Sequence, residues 1–144
     1  MKIILLITAC LAFLVLLNGA DAVKPASFYG HDQVSAMLTK TTYYQRDPDL
    51  IVLGSHRDGP GQVEVHDKET DVMYIVDGSA NMILGGTMIG GKRSAPDQWL
   101  GDKIEGGESH AVSKGDVLVI RAGVPHWFNE VPKSISYFVV KTVK

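Results

Sequence analysis

The sequence predicts an all-β protein, built as a single barrel or sandwich domain. Three observations carry that expectation. Short apolar or alternating runs recur from Leu50 to Val143, each bounded by Gly, Pro or Asp turn residues. Helical spacing is confined to one short stretch near residue 32. No repeat, low-complexity tract or linker divides the chain after its first residues.

The start of the chain reads as a leader. Met1-Lys2 precedes an apolar run from Ile3 to Leu17, and Ala20-Asp21-Ala22 supplies small residues around an expected cleavage site after Ala22. The apolar run is shorter than the roughly 20 residues a membrane span needs. Residues 1–22 are therefore expected to be a signal peptide, and the protein secreted, with no membrane attachment after cleavage. Cleavage also removes Cys10, the only cysteine, so the domain must stand on its packed core without disulfides. The 14 basic and 16 acidic residues give a net charge of −2. No basic field recommends a nucleic-acid partner.

Residues 23–45 read as an N-terminal arm with one short helix, and residues 46–144 as the barrel. In the arm, Asp32 is an N-cap candidate, and Val34, Met37 and Leu38 fall at helical spacing up to about Lys40. Expected strands are Leu50–Leu53, Gln62–His66, Val72–Val76 and Ala80–Leu84, with Asp77-Gly78 as a hairpin turn between the last two. Thr87–Ile89 sits between glycine pairs, and Lys92–Gln98 reads as a polar loop. Leu100–Ile104, Ser109–Val112, Asp116–Ile120, His126–Val131 and Ile135–Val143 complete the series. The competing small secreted barrel is a lipocalin, but Trp99 and Trp127 both lie too late for its Gly-x-Trp signature.

The stretch Gly115–Glu130, GDVLVIRAGVPHWFNE, describes a strand, a turn at Ala122-Gly123, and a histidine delivered onto the next strand by Pro125. Alternation then puts His126, Phe128 and Glu130 on one face. Here the chain resembles the second signature of the cupin superfamily, with Gly115, Gly123 and His126 on their positions, Arg121 in place of a proline and Glu130 where asparagine is usual. The stretch Gly61–Gly78, GQVEVHDKETDVMYIVDG, resembles the first cupin signature. There Glu64 takes the place of the first histidine, His66 is the second, and Asp71 takes the glutamate position. The resemblance implies a double-stranded β-helix, the cupin jelly-roll barrel, with His126 as a metal ligand inside it. Strand alternation agrees, since Glu64 and His66 share one face, as do Asp71, Met73 and Ile75.

His66 and His126 with Asp71, Glu64 or both make a sufficient donor set for a divalent transition metal, whether Fe, Mn, Ni or Zn. Glu130 offers a further ligand, an orienting group or a general base. Met73, Ile75, Met82 and Phe128 would hold a small organic substrate beside the metal. The expected function is thus metal-dependent binding or turnover of a small molecule, of dioxygenase, isomerase or lyase type if catalytic. The alternative is a secreted or matrix binding protein with a degenerate metal site. A homodimer is also expected, with the arm from Val23 to Gln45 available for exchange between copies.

Overall fold

The computed structural model describes residues 25–144, so the expected signal peptide and the expected cleavage after Ala22 lie outside the described residues. The elements are α1 (His31–Met37), β1 (Thr42–Arg46), β2 (Leu50–Arg57), β3 (Val63–His66), β4 (Glu69–Leu84), β5 (Thr87–Ile89), β6 (Lys92–Ala95), β7 (Gln98–Gly101), β8 (Lys103–Glu105), β9 (Glu108–Ser113), β10 (Val117–Ile120), β11 (His126–Glu130) and β12 (Ile135–Val143). All strand pairing is antiparallel. One sheet runs β1-β2-β12-β4-β10 and the other β9-β4-β11-β3-β7-β6, and β4 belongs to both. This is a curled jelly roll, the architecture that the resemblance in the two signature stretches implies.

The shared strand corrects one expectation. Asp77-Gly78 is not a hairpin turn but the corner inside a 16-residue β4. Along β12 the partners step from Asp77 opposite Ser136 to Ile75 opposite Tyr137, leaving Val76 as the extra residue of a bulge. The bulge exchanges the faces of the strand. Before it Asp71, Met73 and Ile75 are buried; after it Ala80 and Met82 are. Gly78 has φ +79°, and a Cβ there would lie 2.0 Å from the Ser134 carbonyl oxygen. A hairpin and a bulge both ask for an Asp-Gly, and only the long-range partner β12 decides between them.

Two further readings change. Lys92–Gln98 is not a loop: β6 and β7 form a hairpin across it, turning at Asp97 with φ +60°. The cap of α1 is Gly30, not Asp32, whose carboxylate instead sits in the first turn, where the helix dipole favours it. Val34, Met37 and Leu38 form the half-buried side of the helix as their spacing requires. The arm packs on its own barrel. Tyr29 donates to the Tyr44 carbonyl at 2.6 Å, Tyr44 donates to the Val34 carbonyl at 3.1 Å, and β1 pairs with β2 from Thr42 onward.

The core is one apolar cluster drawn from both sheets, including Leu53, Met73, Ile75, Met82, Leu118, Phe128 and Val139. Ile75 and Met82 are fully buried, one on each side of the β4 corner. Replacing Gly78 with alanine is expected to destabilise the fold by about 2 kcal/mol or more, through positive φ and the clash with Ser134. Urea unfolding measures this, and an unchanged midpoint would mean that the corner is not constrained as described.

Candidate metal centre

The site is assembled where β3, β4, β11 and β12 turn polar side chains toward the barrel interior. His126 at the start of β11 lies directly opposite Glu64 on β3, so the two side chains emerge on the same face. His66, two residues along β3 from Glu64, brings its ring to 5.2 Å from that of His126, centroid to centroid. The Ala122-Gly123 turn is tied to the same place, because the Gly123 amide donates to the His66 carbonyl at 2.8 Å. One nitrogen from each histidine and one oxygen of Glu64 fall within 4.8 Å of one another, a spacing one ion can bridge.

The two rings differ in what their nitrogens do. His126 Nδ1 lies 3.1 Å from the Val124 carbonyl oxygen, which can only accept, so the proton sits on Nδ1. Its Nε2 lone pair is then directed into the protein, buried and without a partner. Burial holds the His126 pKa below the ordinary histidine value, against the opposing effects of the Val124 carbonyl and of Glu64. A neutral imidazole with one nitrogen anchored by the backbone and the other free is the form that binds metals. His66 Nε2, in contrast, has a partner: the Lys141 ammonium at 2.9 Å.

Lys141 organises a second group around the same histidine. Its Nζ is 2.8 Å from Glu69 Oε2 and 3.0 Å from Asp71 Oδ2, and His66, Glu69 and Asp71 themselves form a triad of close donor atoms. Asp71 and Lys141 face one another across β4 and β12. Burial alone would push the Asp71 carboxyl up; contact with His66 and the charge of Lys141 outweigh it and hold the pKa below the usual carboxylate value. Glu64 is steadied from the other side by Arg57, whose Nη2 donates to Oε1 at 3.2 Å while its Nε donates to the Tyr137 hydroxyl at 2.8 Å.

A cavity of about 390 Å³ opens over this cluster. Its polar lining includes Glu64, His66, Glu69, Asp71 and Lys141, with Thr41, Tyr43, Arg46 and Gln98 among the other residues. His126 lines an adjoining pocket of about 30 Å³ with Gln62 and Phe128, and the two spaces share Arg57, Glu64, Met73 and Tyr137. The expected apolar substrate pocket is only partly there. Met73 lines both spaces and Phe128 the smaller, whereas Ile75 and Met82 are packed away in the core.

Four of the five expected site residues, Glu64, His66, Asp71 and His126, therefore converge. Glu130 does not. A bulge between Phe128 and Glu130 breaks the alternation of β11, so Glu130 is exposed and lines an outer groove with Ser79, Asn81 and Ser113. Sequence reasoning missed Glu69, Lys141 and Arg57. Alternation finds the first two: Glu69 is in phase with Asp71 and Met73, and Lys141 with Ile135, Tyr137 and Val139. Arg57 falls beyond the expected end of its strand at Leu53.

No protein-family model matches the sequence, and no curated protein matches it. Solved structures do. The chain is similar to BH2720 from Bacillus halodurans, with TM-score 0.61 and 13% identity, covering 86% of this chain and 85% of that one. It is also similar to an uncharacterised protein with a double-stranded β-helix domain from Klebsiella pneumoniae, with TM-score 0.55 and 14% identity over 82% and 90% of the two chains. A cupin 2 conserved barrel domain protein from Rhodopseudomonas palustris matches with TM-score 0.50 and 16% identity over 72% of this chain, which spans 60% of that protein, less than two thirds.

The depressed His126 pKa has a consequence for stability. The unfolded chain takes up a proton at this histidine below about pH 6.5, while the folded chain resists it, so acid favours unfolding through this group. In metal-free buffer with chelator, stability is expected to fall as pH drops from 7 to 5. A His126→Gln variant, which carries no titrating group, should show a shallower fall. Equal slopes in urea titrations of the two proteins would show that His126 is not held neutral by the fold.

Proposed function

Since the chain has the cupin double-stranded β-helix fold, we propose that it is a secreted cupin that holds a divalent transition metal on Glu64, His66 and His126 and receives a small organic molecule in the adjoining cavity. The observation that carries this reading is the buried, unpartnered Nε2 of His126, presented by the Val124 carbonyl toward Glu64 and His66. Two imidazoles and one carboxylate suit Fe, Mn, Ni or Zn and leave positions open for a ligand.

A bound metal of this kind supplies Lewis acidity, or redox chemistry if it is iron or manganese. The chain's own groups do the rest. Val124 fixes the His126 tautomer, and Arg57 with Tyr137 holds Glu64 in place. Tyr43, Arg46 and Gln98 line the cavity through which a small molecule would reach the cluster. Glu130, turned outward, is not placed to move a proton beside His126. The second reading, a binding protein with a degenerate metal site and no catalysis, is favoured by one observation: a lysine ammonium already engages His66 Nε2.

Elemental analysis of protein purified without chelator is expected to find close to one transition-metal ion per chain, and far less in His66→Ala and His126→Ala. Glu130→Gln should retain the wild-type content. Metal-free wild type, or metal unaffected by both histidine changes, would end this reading.

We propose secretion and self-association as well. Val72, Tyr74, Val117 and Val119 are exposed on the outer face of β4 and β10, an apolar patch that a second copy would cover. Among the described residues no helix is long and apolar enough to cross a membrane. Protein recovered from the medium of expressing cells should begin at Val23 and sediment as a dimer. An intact Met1 terminus contradicts the leader, and a monomer contradicts the pairing.

A further inference from the structure

We propose that the Lys141 ammonium is a tethered cation that competes with the metal for His66. The inference rests on the metal-binding reading above. It starts from the phase of β12: Ile135, Tyr137 and Val139 are buried, and Lys141 continues their inward side, so a charged residue is delivered to the interior with its side chain only 12% exposed. There it lies opposite Asp71 and within hydrogen-bond distance of three groups at once, Glu69 Oε2, Asp71 Oδ2 and His66 Nε2.

An ammonium has donors and no acceptor, so its contact with His66 Nε2 uses the lone pair that a metal would need from that nitrogen. His66 is common to both donor triads, Glu64/His66/His126 and His66/Glu69/Asp71. A metal drawing on His66 Nε2 must displace Lys141 from it, and a positive charge held nearby opposes a divalent cation through a poorly screened interior. Lys141 also pairs with Glu69 and Asp71, which would otherwise be two anions free to attract an ion. In both respects it weakens metal binding while keeping the buried acids compensated in its absence.

The test is metal affinity, independent of any reaction. The whole chain, stripped with chelator, is titrated with Co(II), followed by its visible absorption, and with Zn(II) in competition with a chromophoric chelator. Lys141→Met keeps length and removes charge; Lys141→Gln removes charge and keeps polarity, and supplies the same measurement should the methionine variant fail to fold. Both are expected to bind about tenfold more tightly or better, the scale of effects from groups bordering a metal site, while Lys141→Arg stays near wild type. Wild type that binds metal, with neutral variants binding no more tightly, overturns the competition and leaves the metal reading intact. Wild type without metal alongside variants that bind it supports the competition and ends the metal reading for the natural chain. No binding by any of them overturns both.

Discussion

Asp71 is 1% exposed, and the barrel keeps a carboxylate there because His66 lies against it and Lys141 comes to it from the facing strand. An isolated buried charge is strongly unfavourable, and removing one partner of such a pair typically costs several kcal/mol. The pair fixes more than its own two residues. It sets the phase of β12 against β4, which places Ile135, Tyr137 and Val139 inward, and it brings a cation against His66. The ionic cluster and the hydrophobic core are therefore alternate stretches of the same inward-facing rows, joined at Met73 and Val139.

The β4 corner makes this arrangement possible. One strand serves both sheets, and its bulge at Val76 hands the inward face from odd-numbered to even-numbered residues. The acidic end of β4, Glu69 and Asp71, thus pairs with β12, while its far end pairs with β11, the strand that carries His126. Without the exchange of faces, either Asp71 and Met73 or Ala80 and Met82 would point to solvent. The backbone freedom of Gly78 is what the topology draws on at this point.

Much of this was legible in the sequence, because strand alternation is a local property. Glu64 with His66, and Asp71 with Met73 and Ile75, could be assigned to common faces from their spacing alone. So could the turn at Gly123 that leads to His126. At other points a partner strand decides what alternation cannot. Asp77-Gly78 looks the same as a hairpin or as a bulge; Lys92–Gln98 becomes two strands only because β7 has β3 to pair with. Glu130 had the right phase on paper, and a bulge after Phe128 turned it outward. The phase of Lys141 is readable, yet a lysine near the end of a strand is usually solvated, and only the position of Asp71 across the sheet makes it an inner residue.

The chemical account comes down to which cation the shared histidine serves. His126 offers a lone pair held ready by the backbone, Glu64 is braced by Arg57, and His66 stands between them and Lys141. The fold comparisons support the barrel and leave the chemistry to these residues. The most direct measurement is anomalous diffraction from crystals soaked in the metal that the purified protein carries. The account requires a single strong peak bonded to His126 Nε2, His66 and Glu64. A peak that omits His126, or none inside the barrel, would contradict it.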